Sequence, residues 1–210
     1  MKKTLGFLML IVVVGSFTSC GSTNNKTKEI IIFEMQPTKD GVADFLFKLD
    51  DQPESYDNDE CYRVTPQRIT NKYGFAIYKF DQSCISYLEY DDKIYPLGNG
   101  FGGFGVVSFA ISDMNNDKYP ELYFTYSWGS GIHRSMVGYF DSAIKEVVLF
   151  DYSNMNNDMV FVADKNRLFT YNATTDIKSF VNIGVKAEDK VGEISFSSNK
   201  IELDLVDANK

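Results

Sequence analysis

From residue 29 onward the chain is a succession of short apolar runs separated by polar turn residues. E-I-I-I-F-E-M (29–35) reads as a β run, and P-T-K-D-G (37–41) as a turn. V-A-D-F-L-F-K-L (42–49) fits a strand or a short helix equally well. G-F-A-I-Y-K-F alternates, D-Q-S turns, and C-I-S-Y-L-E-Y alternates back, which predicts a hairpin over 74–90. D-D-K then turns into I-Y-P-L. Further strands are predicted at 105–112, 121–128, 136–140, 146–150, 159–163, 167–171, 180–185, 192–197 and 201–206. Turns are predicted at D-K-N, N-A-T-T-D and S-S-N-K. No long amphipathic helix interrupts the series. The pattern predicts a mainly β protein: an antiparallel sandwich, a barrel or a propeller-like sheet array.

The N-terminus departs from this pattern. Lys2 and Lys3 precede an apolar stretch over 5–17, which is too short for a convincing membrane-spanning helix. F-T-S-C follows, with the small Ser19 directly before Cys20. This order resembles the lipobox of bacterial lipoproteins, with Phe17 where an aliphatic residue is commoner. The resemblance implies a signal peptide over 1–19, a lipid on Cys20 and attachment to the membrane through that lipid. The location would be the bacterial cell envelope, on the extracytoplasmic side. An ordinary secretory signal cut nearby would instead leave Cys20 as a spare thiol. G-S-T-N-N-K-T-K has no large apolar residue, so 20–28 reads as a flexible tether before a single domain over 29–210.

Composition supports a folded domain, with 44% hydrophobic and 15% aromatic residues. The formal net charge is -8, and loss of Lys2 and Lys3 leaves -10. Bulk charge therefore argues against nucleic acid and anionic lipid surfaces as partners. With Cys20 lipidated, Cys61 and Cys84 remain, and an exported protein often pairs two such cysteines. Two buried free thiols are the alternative. No C-x-x-C or Cys/His cluster points to zinc.

The chemistry concentrates in D-M-N-N-D-K-Y-P-E-L (113–122). Asp113, Asn115, Asp117 and Glu121 place oxygen side chains at relative positions one, three, five and nine. A short loop with alternate oxygen ligands wraps a hard divalent cation, and calcium is the usual occupant. The loop resembles the calcium loops of FG-GAP and VCBS repeats, which end in D-x-N-x-D-G-x-x-D/E-L. The resemblance implies Ca2+ held by Asp113, Asn115, Asp117 and Glu121, with Tyr119 supplying its backbone carbonyl. Lys118 stands where that family has glycine. The loop is not an EF-hand, because Phe124 occupies the twelfth position. A capped tight turn is the reading without a metal. The stretch over 101–140 also resembles a recurrent segment of uncharacterised bacterial exported proteins, which implies no activity.

Weaker signals surround it. M-N-N-D recurs at 155–158 without the Pro-Glu-Leu ending, and reads as an Asn-rich turn. The acidic stretch 50–60 has irregular spacing and reads as a solvated loop. G-N-G-F-G-G-F-G (98–105) is followed by β-branched residues rather than a helix start, so it reads as a flexible or bulged start of a strand and not as a phosphate cradle. G-S-G-I-H-R gathers Ser130, His133 and Arg134 as a candidate ligand loop. His133 is the only histidine, and neither Ser130 nor Ser135 sits in a nucleophile elbow. Two function classes follow. The favoured one is a binding or structural module with a protein or glycan ligand. The alternative is an envelope hydrolase using the His133 region.

Overall fold

The computed structural model describes residues 29–49, 58–98, 102–129, 132, 134–179 and 181–206. In chain order the elements are β1 (Ile31–Phe33), α1 (Val42–Lys48), β2 (Cys61–Arg63), α2 (Gln67–Tyr73), β3 (Ala76–Phe80), β4 (Ser86–Tyr90) and β5 (Lys93–Pro96). β6 (Gly105–Ser112), β7 (Glu121–Trp128), β8 (Arg134–Asp141), β9 (Glu146–Asn154), β10 (Asp158–Asp164), β11 (Arg167–Ser179), β12 (Asn182–Ser197) and β13 (Lys200–Leu205) complete the described chain.

The protein is mainly β. The described strands form three antiparallel sheets, ordered β1-β6-β7-β8-β9, β10-β11-β12-β13 and β2-β3-β4-β5, and none closes into a barrel. The five-stranded sheet lies in the middle, with a different core on each face. Phe109, Ile111, Leu122, Phe124 and Phe140 pack with Phe75, just before β3, and with Ile77 and Leu88 from the β2–β5 sheet. The intervening residues Ala110, Tyr123, Val137 and Tyr139 pack with Met159, Phe161, Leu168 and Ile194 from the β10–β13 sheet. Two covered faces explain why β6 is buried along its whole length and β7 nearly so. They also explain why both read as continuous apolar runs rather than alternating ones.

The sequence pattern requires several corrections. The stretch 42–49 resolves as α1, which sets Phe45 against Tyr78 with ring centroids 3.9 Å apart. Q-R-I-T-N-K-Y forms α2, a helix the pattern does not announce; it buries only Ile69. The first β run shortens to Ile31–Phe33. N-A-T-T-D is not a turn: Ala173 to Asp176 lie inside β11, paired with Ala187 to Gly184 of β12. The two strands expected at 180–185 and 192–197 form one strand, β12. Phe180 and residues 50–57 lie outside the described residues.

Other turns form as read. Asp91 and Asp92 both take positive φ between the paired Tyr90 and Lys93, as do Ser198 and Asn199 between Ser197 and Lys200. These are two-residue hairpin turns, whose twist matches that of the strands. β6 begins at Gly105, at φ 63, where a Cβ would overlap the Cys84 carbonyl oxygen. Its ladder to β7 shifts register between Val106 and Ser108, so the strand does begin on a bulge. Cys61 and Cys84 are buried free thiols, and the disulfide expected between them is not formed in this structure. Cys61 packs with Val42 and Phe45 beneath α1, whereas Cys84 sits in the β3–β4 turn with its Sγ 3.8 Å from the Gln82 carbonyl.

Candidate metal centre

The β6–β7 connection carries the loop. β6 ends at Ser112 and β7 begins at Glu121, and these two residues are register partners. The ladder therefore closes the loop at its base. Inside it, Asp113 accepts from the backbone N–H of Asp117 at 3.0 Å and from that of Lys118 at 3.1 Å. Asn115 Oδ1 also accepts from the Asp117 N–H, at 3.0 Å. Asp117 accepts from the Tyr119 N–H at 2.7 Å and from the Asn115 carboxamide at 3.0 Å. These side-chain-to-backbone bonds hold a tight turn of the Asx type. Asn116 and Lys118 both take positive φ, 59° and 78°. The left-handed backbone that glycine provides in the calcium-loop pattern is thus present at Lys118, adopted by a residue with a side chain.

Asp113, Asp117 and Glu121 each bring a carboxylate oxygen within 4.8 Å of the other two. Glu121 differs from the two aspartates in being fully buried. Its Oε2 accepts from the Met114 N–H at 2.8 Å and from the Tyr123 hydroxyl at 3.1 Å. Its Oε1 is buried without a hydrogen-bond partner. Burial raises the Glu121 carboxyl to about 7, against the backbone N–H of Met114 and the Tyr123 hydroxyl, which lower it. A buried carboxylate with one oxygen unsatisfied is costly unless a cation or a proton compensates it. A divalent ion fits that need, since every donor is a hard oxygen and the three carboxylates already converge. Tyr119 is exposed, and its neighbour Pro120 offers its carbonyl to the buried Ser142 hydroxyl at 2.8 Å. This bond ties the loop to the β8–β9 turn.

The second M-N-N-D segment behaves as an Asn-capped turn. Asn154 Oδ1 accepts from the backbone N–H groups of Asn156 and Asn157, at 3.1 and 3.2 Å. Asp158 is buried at the start of β10 and accepts from the Thr175 hydroxyl. Of the acidic stretch, Asp59 receives the backbone N–H groups of Gln82 and Ser83. Glu60 pairs with Lys39 at 2.8 Å.

In the G-S-G-I-H-R segment, Ser130 and His133 lie outside the described residues, as does Cys20. Arg134 opens β8 opposite Trp128, with its guanidinium carbon 4.8 Å from the indole ring centroid. Sequence reasoning did not single out Tyr123 as the partner of Glu121. The signal was there: residues two apart on a strand share a face. No protein family, curated protein or solved structure matches the chain.

Proposed function

We propose that this chain is a lipid-anchored cell-envelope protein whose β domain acts as a binding or structural module and is locked by one calcium ion in the β6–β7 loop. The observation that carries the cation is Glu121, fully buried with one carboxylate oxygen unpartnered beside two aspartates. The oxygen-only donor set favours a hard ion, and the spacing Asp113, Asn115, Asp117, Glu121 supports calcium. The role is structural because the loop joins two central strands whose side chains fill both cores. The anchor rests on Lys2, Lys3, the apolar stretch and Cys20.

The loop is tested by thermal melting with millimolar calcium and with chelator. An ion at a hundred times its dissociation constant adds about 2.7 kcal/mol to stability, and Asp113→Ala should abolish the difference. Equal melting temperatures of the unsubstituted protein in both buffers would reduce the loop to a capped turn. The anchor is tested separately with a labelled lipid precursor in cells, where Cys20→Ser should remove the label.

A further inference from the structure

The central sheet ends at β9 and the four-stranded sheet that covers it ends at β13. No described strand pairs with the outer edge of either. The two edges face each other across a groove of about 490 Å³. Val148, Phe150 and Tyr152 line one wall, and Ile201, Leu203 and Leu205 the other. Phe150 and Leu203 border the second core without being fully buried, and Leu205 is half exposed.

The two lips differ. β13 pairs with β12 in unbroken register from Lys200 to Leu205, so its outer edge is a regular strand. β9 is irregular: its ladder with β8 passes from Ser153 directly to Leu149, which leaves Phe150, Asp151 and Tyr152 outside it. Exposed edges are ordinarily guarded by lysine or proline. β9 has neither, and the one lysine of β13, Lys200, is 3.6 Å from Glu202. An edge with unused backbone groups beside an apolar cleft accepts an added strand. Backbone bonds would hold that strand, and its alternate side chains would enter the cleft.

Charge selects the occupant. Asp151, Glu202 and Asp204 border the groove, and Lys200 is its only described basic lining residue. Asp204 accepts from the Ser195 hydroxyl and Glu202 from the Ser197 hydroxyl, which fixes both carboxylates on the β13 side. The excess of negative charge opposes a second copy of this acidic chain and favours a cationic segment.

We propose that the β9–β13 groove is a strand-addition site for an extended peptide in which apolar and basic residues alternate. The peptide adds to the outer edge of β13, its apolar side chains enter the cleft against Phe150 and Leu203, and its basic side chains lie on the outer face of that sheet beside Glu202 and Asp204. This inference stands apart from the cation loop.

The test uses the whole chain in detergent and a fluorescent nine-residue peptide alternating valine and lysine. Saturable binding is expected, with new hydrogen-exchange protection at the β13 amides that point away from β12. Exchanging the peptide lysines for glutamate should weaken binding by at least roughly tenfold, as should N-methylating its backbone amides with the side chains unchanged. Glu202→Lys combined with Asp204→Lys should shift preference toward the glutamate peptide; both side chains lie on the outer face of β13, away from the core, so the fold is not at stake. Equal binding of the methylated peptide would overturn strand addition, and equal binding of the glutamate peptide would overturn the charge assignment. Absence of saturable binding would overturn the site. So would β13 protection that grows with protein concentration in the absence of peptide, because the occupant would then be a second copy.

Discussion

Tyr123 donates its hydroxyl to Glu121, two residues earlier on the same strand, at 3.1 Å, and both side chains are fully buried. The phenol lies against the second core, so this bond connects the loop at the end of β6 to the packing between the central sheet and the β10–β13 sheet. A hydrogen bond to a buried charged group contributes about 1.5–3 kcal/mol. Tyr123→Phe, which keeps the ring, should therefore lower stability by that order at pH 8. Urea unfolding checks it. An unchanged midpoint would mean that the hydroxyl contributes nothing to holding the loop.

Glu121 also sets a pH dependence in the calcium-free protein. Burial raises its carboxyl from 4.5 to about 7. Between those values the folded chain keeps a proton that the unfolded chain gives up, so stability falls as pH rises through about 7. The loss reaches roughly 3 kcal/mol at most. Glu121→Gln, neutral at every pH, should flatten this dependence in chelator and also abolish the response to calcium. Urea midpoints at pH 5 and pH 8, with chelator throughout, give the comparison. An equal pH dependence in the variant would show that Glu121 is not its source.

Lys118 holds φ 78, a conformation that costs a residue with a side chain about 1–2 kcal/mol relative to glycine. Glycine there loses more entropy on folding, which offsets part of the gain. Lys118→Gly should then stabilise the protein by about 0.5–1 kcal/mol. It should also tighten calcium binding, because a positive charge leaves the loop. Calorimetric titration with calcium separates the two effects. Weaker binding in the variant would mean that the lysine side chain supports the loop.

Much of this was legible in the residues, and what was not has identifiable physical causes. β6 and β7 were readable because an apolar core covers each face, and the loop between them because its oxygen side chains keep a two-residue spacing. The distal part of β11, and β12 between Val185 and Gly192, were not readable. From Gly184 to Lys190 every residue of β12 is exposed, so no burial alternation marks the strand, and only its pairing with β11 makes it one. α2 was missed because two turns with a single buried residue carry no periodicity. The groove between β9 and β13 was invisible because it depends on which strands end their sheets, and sheet order is not written in local pattern.

Burial also governs the thiols. It pushes Cys61 up to about 12 and Cys84 up to about 11, with nearby lysines opposing the shift in both cases. The thiolate is the reactive form, and at pH 8 almost none is present at either position. In the folded protein, alkylation of both at pH 8 should be slower than in denaturant by at least roughly a hundredfold, read by mass spectrometry. Failure of both to react in denaturant until a reductant is added would show that they are bonded in the protein tested.

The last prediction concerns Lys79, a fully buried lysine on β3 whose ammonium donates to the Val106 carbonyl, at the β6 bulge, at 3.0 Å. Burial lowers it to about 8, while Cys84 and Asp158 act in the opposite direction. Between pH 8 and about 10.5 the unfolded chain holds a proton that the folded chain has released, so this group makes stability rise with pH across that window. The raised thiols act oppositely there, because the unfolded chain ionises first. The pH profile of the unsubstituted protein alone therefore does not isolate the lysine. Lys79→Met keeps the aliphatic stem and removes the titration. It removes the bond to the Val106 carbonyl, a cost of about 1–3 kcal/mol that is independent of pH. The difference in unfolding free energy between the two proteins should grow with pH from 8 to 10, by up to roughly 3 kcal/mol in favour of the lysine form. A constant difference across that range would mean that Lys79 keeps its proton in the folded protein, with the buried ammonium compensated by more than the Val106 carbonyl.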